Sequence, residues 1–348
     1  MKIKSDGVTF DDVLIEPRYS EVLPSDVNVS SRVTKEICIA CPVISSPMDT
    51  VTEASMANAM QENGGMGIIH RNMPIEQQIA EFLAVKPEYA CYTGAAVGVG
   101  EDHKERVRRL KEAGVRIFSV DSAHGHSKGV GDMVKFIKNL DLICIAGNVA
   151  TAEGAQFLTD CGADAIKVGI GPGSICTTRI VSGVGVPQIT AIMNAYQATA
   201  PAGIPIIADG GLRNSGDIVK ALVAGASTVM IGSMFAGTDE APGDIIDLAG
   251  KKYKSYRGMG SLAAMEKGAA DRYGGNSSKK VTPEGVEGLV LYKGPVGDQI
   301  EKLVGGIRSG MGYCGARCIM DLHRYGMFTK VSKATVVESH PHDIILRS

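Results

Sequence analysis

Short β-branched runs alternate with longer amphipathic stretches along the chain from about residue 42. Each run ends in Gly, Ser, Asp or Asn, and each following stretch repeats its apolar residues with the period of a helix. This alternation predicts parallel strands joined by crossover helices. The predicted strands are 42–46, 66–70, 94–99, 116–121, 142–146, 165–169, 205–208 and 228–231. The predicted helices are 53–63, 75–85, 102–113, 128–139, 151–161, 188–200 and 215–224.

Eight strands in this pattern predict an α/β fold, a (β/α)8 TIM barrel, rather than an open doubly wound sheet. Two polar segments interrupt the pattern: a glycine-rich loop at 171–186 and a stretch at about 250–295. They follow the sixth and eighth strands, at the barrel face where enzymes of this fold build their sites. Loops this long inside a compact domain are usually functional or disordered. The whole chain, 1–348, is expected to be a single catalytic domain.

Composition and charge narrow the possible partners. The 348 residues carry a net charge of −2, so no overall field favours nucleic acid or an anionic membrane. The apolar runs are shorter than the roughly 20 residues of a membrane span, and the N-terminus lacks the apolar core of a signal peptide. Eight scattered cysteines favour reduced thiols. These features predict a cytoplasmic protein.

Candidate chemistry lies at the ends of the later strands. Two glycine-containing turns, 209–211 and 232–233, follow strands seven and eight. The loops after these two strands form the usual phosphate-binding site of this fold. Cys176 lies in the glycine-bounded loop, where a thiol can meet a substrate and where Arg179 or aligned N–H groups could favour its thiolate. We predict a bound phosphate and a nucleophilic Cys176. Cys144 and Cys161, in a strand and at a helix end, are interpreted as structural thiols.

Metal and nucleotide-loop motifs are weak. The spacings Cys38-x-x-Cys41 and Cys314-x-x-x-Cys318 could be half-sites for zinc, but no compact knuckle surrounds either pair. The sequence has no G-x-x-x-x-G-K-[ST] loop, and its nearest dinucleotide fingerprint, at 258–263, does not follow an apolar strand. A dinucleotide would therefore bind without a Rossmann domain.

The loop sequence GPGSICTTR at 171–179, continuing through GVGVPQIT, resembles the IMP dehydrogenase and GMP reductase family. The resemblance covers nearly the whole chain, through TFDDVLIEP, SSPMDTVTE, GIIHRNM, DSAHGHS, AGNVAT, IIADGGLRNSGDIVKAL, YRGMGS, DRY, TPEGVEG, GGIRSGMGY and ESHPHD. It implies that Cys176 attacks C2 of IMP, that hydride passes to NAD+, and that hydrolysis of the covalent intermediate yields xanthosine monophosphate (XMP). The activity implied belongs to guanine nucleotide biosynthesis.

The resemblance also implies roles for individual residues. The loop at 171–186 would be the catalytic loop, and the stretch at about 250–295 a mobile flap. Water activation would use a pair on this flap, Arg272 and Tyr273, with a second proton route through Thr178 and Glu284. The implied IMP contacts are Ser46, Met48, Ser174, Asp209, Gly210, Gly211, Gly232, Ser233, Tyr256, Gly258, Met259, Gly260 and Glu284. The implied NAD contacts are Asp121, Ser122, Ala123, Asn148, Gly169 and, from a neighbouring subunit, Tyr313. The implied K+ ligands are Gly171, Gly173 and Cys176, with Glu338, Ser339 and His340 of the adjacent subunit of a homotetramer.

The chain departs from the family pattern at two places. The regulatory pair of cystathionine-β-synthase-type (CBS) repeats, expected between the second helix and the third strand, is replaced by the eight residues 86–93. Gly274-Gly275 follows the Arg272-Tyr273 pair where an aromatic residue and an amide are expected. DRY with TPEGVEG favours the dehydrogenase. GMP reductase, which converts GMP to IMP with NADPH, is the alternative, and a catalytically idle nucleotide-binding protein is the second alternative.

Overall fold

The computed structural model describes residues 3, 6–267 and 282–344. Its strands in chain order are β1 (Val13–Ile15), β2 (Ser31–Arg32), β3 (Cys38–Ile39), β4 (Val43–Ser45), β5 (Met66–Ile69), β6 (Gly94–Val97), β7 (Ile117–Asp121), β8 (Ile143–Val149), β9 (Ala165–Val168), β10 (Ile206–Asp209), β11 (Thr228–Ile231), β12 (Ile246–Leu248), β13 (Lys251–Arg257), β14 (Glu287–Leu291) and β15 (Phe328–Lys330). Its helices are α1 (Ala54–Glu62), α2 (Ile75–Leu83), α3 (Glu101–Glu112), α4 (Lys128–Lys138), α5 (Ala152–Asp160), α6 (Thr178–Val181), α7 (Gln188–Thr199), α8 (Ser215–Val223), α9 (Leu262–Glu266), α10 (Val296–Tyr313), α11 (Ile319–Tyr325) and α12 (Lys333–Glu338).

Strands β4 to β11 form a closed parallel barrel, which confirms the predicted fold class. Closure occurs at β4, where Ile44 pairs in register with Met66 of β5 on one side and Met230 of β11 on the other. The seven predicted helices are α1–α5, α7 and α8, each connecting consecutive barrel strands. The crossover connections therefore follow the periodicity of the sequence.

Apolar side chains fill the barrel and the layer between the barrel and its helices. Inside, Ile44, Ile68, Ile145 and Ile207 pack in one buried cluster. A larger cluster joins the outer faces of the strands to the inner faces of the helices. Among the buried polar side chains of these strands is that of Lys167 in β9, which is 1% exposed.

The segment after the eighth barrel strand contains a sheet that the sequence analysis did not predict. Strands β12, β13 and β14 are antiparallel, with β13 in the centre, and α9 follows β13. The expected flap at 250–295 therefore includes regular structure on both sides of residues 268–281, which lie outside the described part of the chain.

Two further segments complete the description. Residues 86–93 connect α2 to β6 largely through a 3₁₀ helix, Pro87–Tyr92. Strand β1 pairs with β15, which joins the N-terminal region to the C-terminal one. In the described ranges, no helix combines the length and apolar character needed to cross a bilayer.

Candidate functional site

A cavity of about 250 Å³ opens at the carboxyl ends of the barrel strands. It is lined by the loops after β4, β9, β10 and β11, by β13 and by residues 258–260 and Glu284. Every residue that the resemblance assigns to IMP contacts this cavity, and so do Cys176 and Thr178. Residues separated by more than two hundred positions in the sequence thus line one cavity.

Cys176, Thr178 and Glu284 form a hydrogen-bonded row in this cavity. The Cys176 thiol donates to Thr178 Oγ1 at 3.2 Å, and the Thr178 hydroxyl donates to Glu284 Oε2 at 2.8 Å. The row leads from the sulfur to a carboxylate, so a proton can pass between them through the hydroxyl. The geometry brings together the second proton route expected from the sequence.

Backbone hydrogen bonds hold this row in position. Thr177 N donates to Glu284 O at 3.0 Å, and Val286 N donates to Ile175 O at 3.0 Å, so the cysteine loop pairs with residues 284–286. The same residues pair on their other side with 258–260, where Glu284 N donates to Gly260 O at 3.0 Å. Three segments remote in sequence therefore form one hydrogen-bonded layer over the barrel.

Arg179 closes the cysteine loop. Its Nε donates to Ile170 O at 3.2 Å, and its Nη2 donates to Val186 O at 2.7 Å. Gly171 adopts φ +78°, and a Cβ at Gly171 would lie 2.5 Å from Arg179 Cγ. The guanidinium of Arg179 therefore connects the two ends of the loop.

The turns after β10 and β11 are shaped for close approach of a ligand. Gly210 and Gly211 adopt φ of +90° and +80°, a region that favours glycine. A Cβ at Gly232 would lie only 2.6 Å from Tyr256 Oη. Tyr256 is 5% exposed, and burial raises the pKa of its phenol, so the hydroxyl is a neutral donor at physiological pH.

A buried lysine that the sequence analysis missed lies beneath this cavity. Lys167 Nζ donates to Asp121 Oδ1 at 2.9 Å and to Asp209 Oδ2 at 3.3 Å. Asn148 Nδ2 also donates to Asp209 Oδ2, at 2.8 Å. Burial lowers the pKa of Lys167, while Asp209 opposes that shift. A single charged residue inside the apolar strand AIKV was the signal that could have identified it.

The residues predicted to contact NAD and potassium are only partly among those that line the cavity. Asp121, Ala123, Asn148 and Gly169 line the cavity, whereas Ser122 and Tyr313 are not among its lining residues. Tyr313 ends α10 and is 70% exposed. The predicted potassium ligands divide in the same way: Gly171, Gly173 and Cys176 line the cavity, and Glu338, Ser339 and His340 lie at the end of α12. Arg272 and Tyr273 lie outside the described residues.

The cysteine pairs considered for zinc do not form a cluster with other ligands. Cys41 is buried beside β4, and Cys38 is exposed in β3. Within residues 6–267 and 282–344, no group of three or more His, Cys, Asp and Glu side chains is arranged to hold a metal ion. All eight cysteines are free thiols.

The chain is similar to known proteins over nearly its whole length. Residues 7–342 match the model of a family described as the IMP dehydrogenase / GMP reductase domain. The chain is 47% identical to inosine-5'-monophosphate dehydrogenase of Borreliella burgdorferi, over 99% of this chain and 98% of the relative. It is 45% identical to the enzyme of the same name from Cryptosporidium parvum, over 97% and 95% of the two chains.

A third relative is longer. Inosine-5'-monophosphate dehydrogenase of Rhodopirellula baltica is 42% identical over 475 aligned positions, which cover 99% of this chain and 88% of the relative. Because 475 positions exceed the 348 residues of this chain, that relative has residues without a counterpart here.

Proposed function

The chain belongs to the IMP dehydrogenase / GMP reductase family, and we propose that it oxidises IMP to XMP with NAD+ as hydride acceptor and Cys176 as nucleophile. The observation that carries this proposal is the row from Cys176 through Thr178 to Glu284 in the cavity. It supplies a nucleophile and a proton route to the same point, as covalent catalysis followed by hydrolysis requires.

The first half-reaction is an oxidation at C2 of the purine. The Cys176 thiol releases its proton to solvent, and the sulfur of the resulting thiolate forms a bond to C2 of IMP. The hydrogen at C2 then leaves as hydride, with both electrons of the C–H bond. The purine remains attached to Cys176 as a thioimidate, oxidised by two electrons.

The second half-reaction is a hydrolysis. Water adds to C2, one of its protons is taken by the base, and the C–S bond breaks with its electrons on sulfur, which regains a proton. The balance is IMP, NAD+ and water to XMP, NADH and a proton. The water's proton is taken by the flap pair Arg272 and Tyr273 or, by the second route, passes through Thr178 to Glu284.

IMP is proposed to bind with its phosphate at the turns after β10 and β11. Ser174, Ser233 and Tyr256 supply hydroxyls there, and the turn glycines expose backbone N–H groups. Arg213 also lines the cavity, but its guanidinium is paired with Asp11. The phosphate is therefore held mainly by neutral donors. The ribose is assigned to Asp209, and the base to Met48, Met259 and Gly260.

The residues present fit a nicotinamide cofactor, whose chemistry is to accept the hydride from C2. Asn148 lines the cavity, and among the described residues its Oδ1 is buried without a hydrogen-bond partner, so it can accept from an amide or hydroxyl. Asp121, Ala123 and Gly169 line the same part of the cavity. We assign the nicotinamide ribose to Asp121, and the adenosine end to Ala123 and Tyr313 of a neighbouring subunit.

Potassium is proposed to bind the carbonyl-rich part of the cysteine loop. Gly173 O accepts Cys176 N at 3.1 Å, and a carbonyl has a second lone pair that can face a cation. The remaining ligands, Glu338, Ser339 and His340, would come from an adjacent subunit. The homotetramer, the cytoplasmic location and the lack of a CBS module stay predictions.

The test is the NADH absorbance of purified protein mixed with IMP, NAD+ and K+, beside a tube containing GMP and NADPH. We expect absorbance to rise in the first tube, with XMP as the product. A fall confined to the second tube would make the chain a GMP reductase. No change in either tube would favour a catalytically idle binding protein.

A further inference from the structure

Asp49, Asn72 and Arg257 form a polar cluster at the barrel rim, here called the rim anchor. Arg257 Nε donates to Asp49 Oδ1 at 3.1 Å, and Arg257 Nη2 donates to Asp49 Oδ2 at 2.5 Å. Asn72 Nδ2 donates to Asp49 Oδ2 at 2.7 Å. The Asp49 and Arg257 side chains are 5% and 13% exposed. The guanidinium and the carboxylate therefore form a largely buried bidentate ion pair, and such a pair fixes the relative orientation of its two side chains.

The rim anchor connects the barrel to the segment after β13. Asp49 and Asn72 follow barrel strands β4 and β5, whereas Arg257 ends β13. Asn72 Nδ2 also donates to Ala264 O in α9, at 3.3 Å. Two barrel side chains thus hold residues 257–264 at both ends.

His70 fixes the orientation of the Asn72 backbone. Asn72 N donates to His70 Nδ1 at 3.1 Å, so that ring nitrogen is the acceptor. His70 Nε2 then carries the proton and donates to Glu53 Oε1 at 3.1 Å. His70 and Asn72 of the motif GIIHRNM are accounted for by this support, since His70 lies 2% exposed behind the anchor.

Residues 257–264 also bear directly on the proposed proton route. Gly260 O accepts Glu284 N at 3.0 Å, and Gly258 N donates to Val286 O at 2.9 Å. Glu284 in turn accepts from Thr178, two residues after Cys176. A displacement of residues 257–264 would therefore move the Glu284 carboxylate relative to Thr178, although neither anchor residue of the barrel contacts the row itself.

We propose that Asp49 and Asn72 are positioning residues for the hydrolytic half-reaction, because they hold residues 257–264 and through them Glu284. This inference rests on the proposed function. Cys176 and the turns that bind phosphate have supports of their own in Arg179 and the barrel strands. Loss of the anchor should therefore slow hydrolysis more than the formation of the covalent intermediate.

The test compares Asn72→Leu and Asp49→Asn with the parent protein in rapid-mixing experiments with IMP, NAD+ and K+. The first turnover reports hydride transfer, and the steady state reports the slower hydrolysis. A misplacement of about 1 Å can cost on the order of 10²-fold in rate. Because Met259 and Gly260 are also assigned to the purine base, the rates are compared at saturating IMP. We expect steady-state turnover to fall at least about tenfold, while the first-turnover rate stays within about threefold.

A second readout is the intact mass of protein quenched with acid during turnover. The fraction carrying the purine adduct should rise in both variants, because the intermediate forms normally and decays slowly. Glu76→Gln is the matched control, since it breaks the exposed ion pair with Arg109 away from the cavity. Its rates and adduct fraction should equal those of the parent.

The outcomes separate the two proposals. A parent protein that forms no NADH from IMP contradicts the proposed function. An active parent whose anchor variants lose both phases equally, or neither phase, contradicts the positioning role alone. If Asn72→Leu does not fold, Asn72→Ser removes the same donor with less bulk, and the same comparison applies.

Discussion

Replacing Lys167 with Met removes the buried cation between the two carboxylates beneath the cavity. Asp209 then loses the ammonium at 3.3 Å and keeps the Asn148 amide at 2.8 Å. Arg71, which donates to Asp121 O at 3.4 Å, remains near Asp121. Both carboxylates lose the ammonium, and we follow the change at Asp209, the carboxylate proposed to hold the ribose of IMP.

The magnitude follows from the burial of this pair. Removing one partner of a buried ion pair costs about 3–5 kcal/mol, because the other charge stays buried. Asp209 is 17% exposed, so water can partly solvate its carboxylate, and we take about 3 kcal/mol, the lower end of that range. With an unfolding entropy of about 2.1 cal/mol/K per residue, 348 residues convert this into a fall in Tm of roughly 4 °C.

The assay is differential scanning calorimetry of Lys167→Met, with calorimetric titration of IMP. We expect the fall in Tm together with weaker IMP binding. The double variant Lys167→Met, Asp209→Asn should recover most of the Tm, because it replaces the uncompensated charge by an amide. Lys128→Met, which breaks an exposed pair with Asp132, is the control and should change Tm little. A Tm for Lys167→Met equal to that of the control would show that the buried ammonium does not stabilise the two carboxylates.

Three further predictions concern the row, the substrate turn and the rim. Glu284→Gln should lower steady-state turnover by about 10²-fold, the lower end of the range for a general base, and should leave a burst of NADH. Loss of the burst in stopped-flow absorbance would contradict the role of Glu284 in hydrolysis. Gly232→Ala should raise the KM for IMP at least about tenfold, because the new Cβ would lie 2.6 Å from Tyr256 Oη. An unchanged KM would show that the turn can shift to make room for the methyl group. Burial acts to raise the pKa of Asp49, but Arg257 and Asn72 outweigh it and hold that pKa below its usual value. The parent should therefore have a higher Tm than Asp49→Asn, with the full difference above about pH 4 and a smaller one as the pH falls further. A difference in Tm that does not depend on pH would contradict the lowered pKa of Asp49.

The barrel was predictable because its signal is local. Strands such as β9 and helices such as α4 are short, strongly patterned runs, and their apolar faces pack into the clusters that the pattern implies. The sheet β12–β14 was not predictable in the same way, since β13 reads KKYKSYR and has little apolar periodicity. Lys254 of β13 is buried because its ammonium donates to the carbonyl of Thr238 at 3.0 Å, a contact that hydropathy cannot reveal.

The site residues likewise differ in whether the local sequence could identify them. Cys176 and the glycine turns could be identified from their place after predicted strands, and Thr178 and Glu284 from motifs of a known family. Lys167 could not be assigned a role from local pattern, because its carboxylate partners lie 46 and 42 residues away. Its burial is intelligible only after the barrel has brought β7, β9 and β10 together.

During turnover, the purine of IMP is proposed to become covalently attached to Cys176. The most direct measurement is peptide mapping by mass spectrometry of protein quenched with acid while it converts IMP with NAD+. We predict a purine nucleotide adduct on the peptide containing Cys176, present only when both IMP and NAD+ were added. Formation of NADH without an adduct, or an adduct on another of the eight cysteines, would contradict the account.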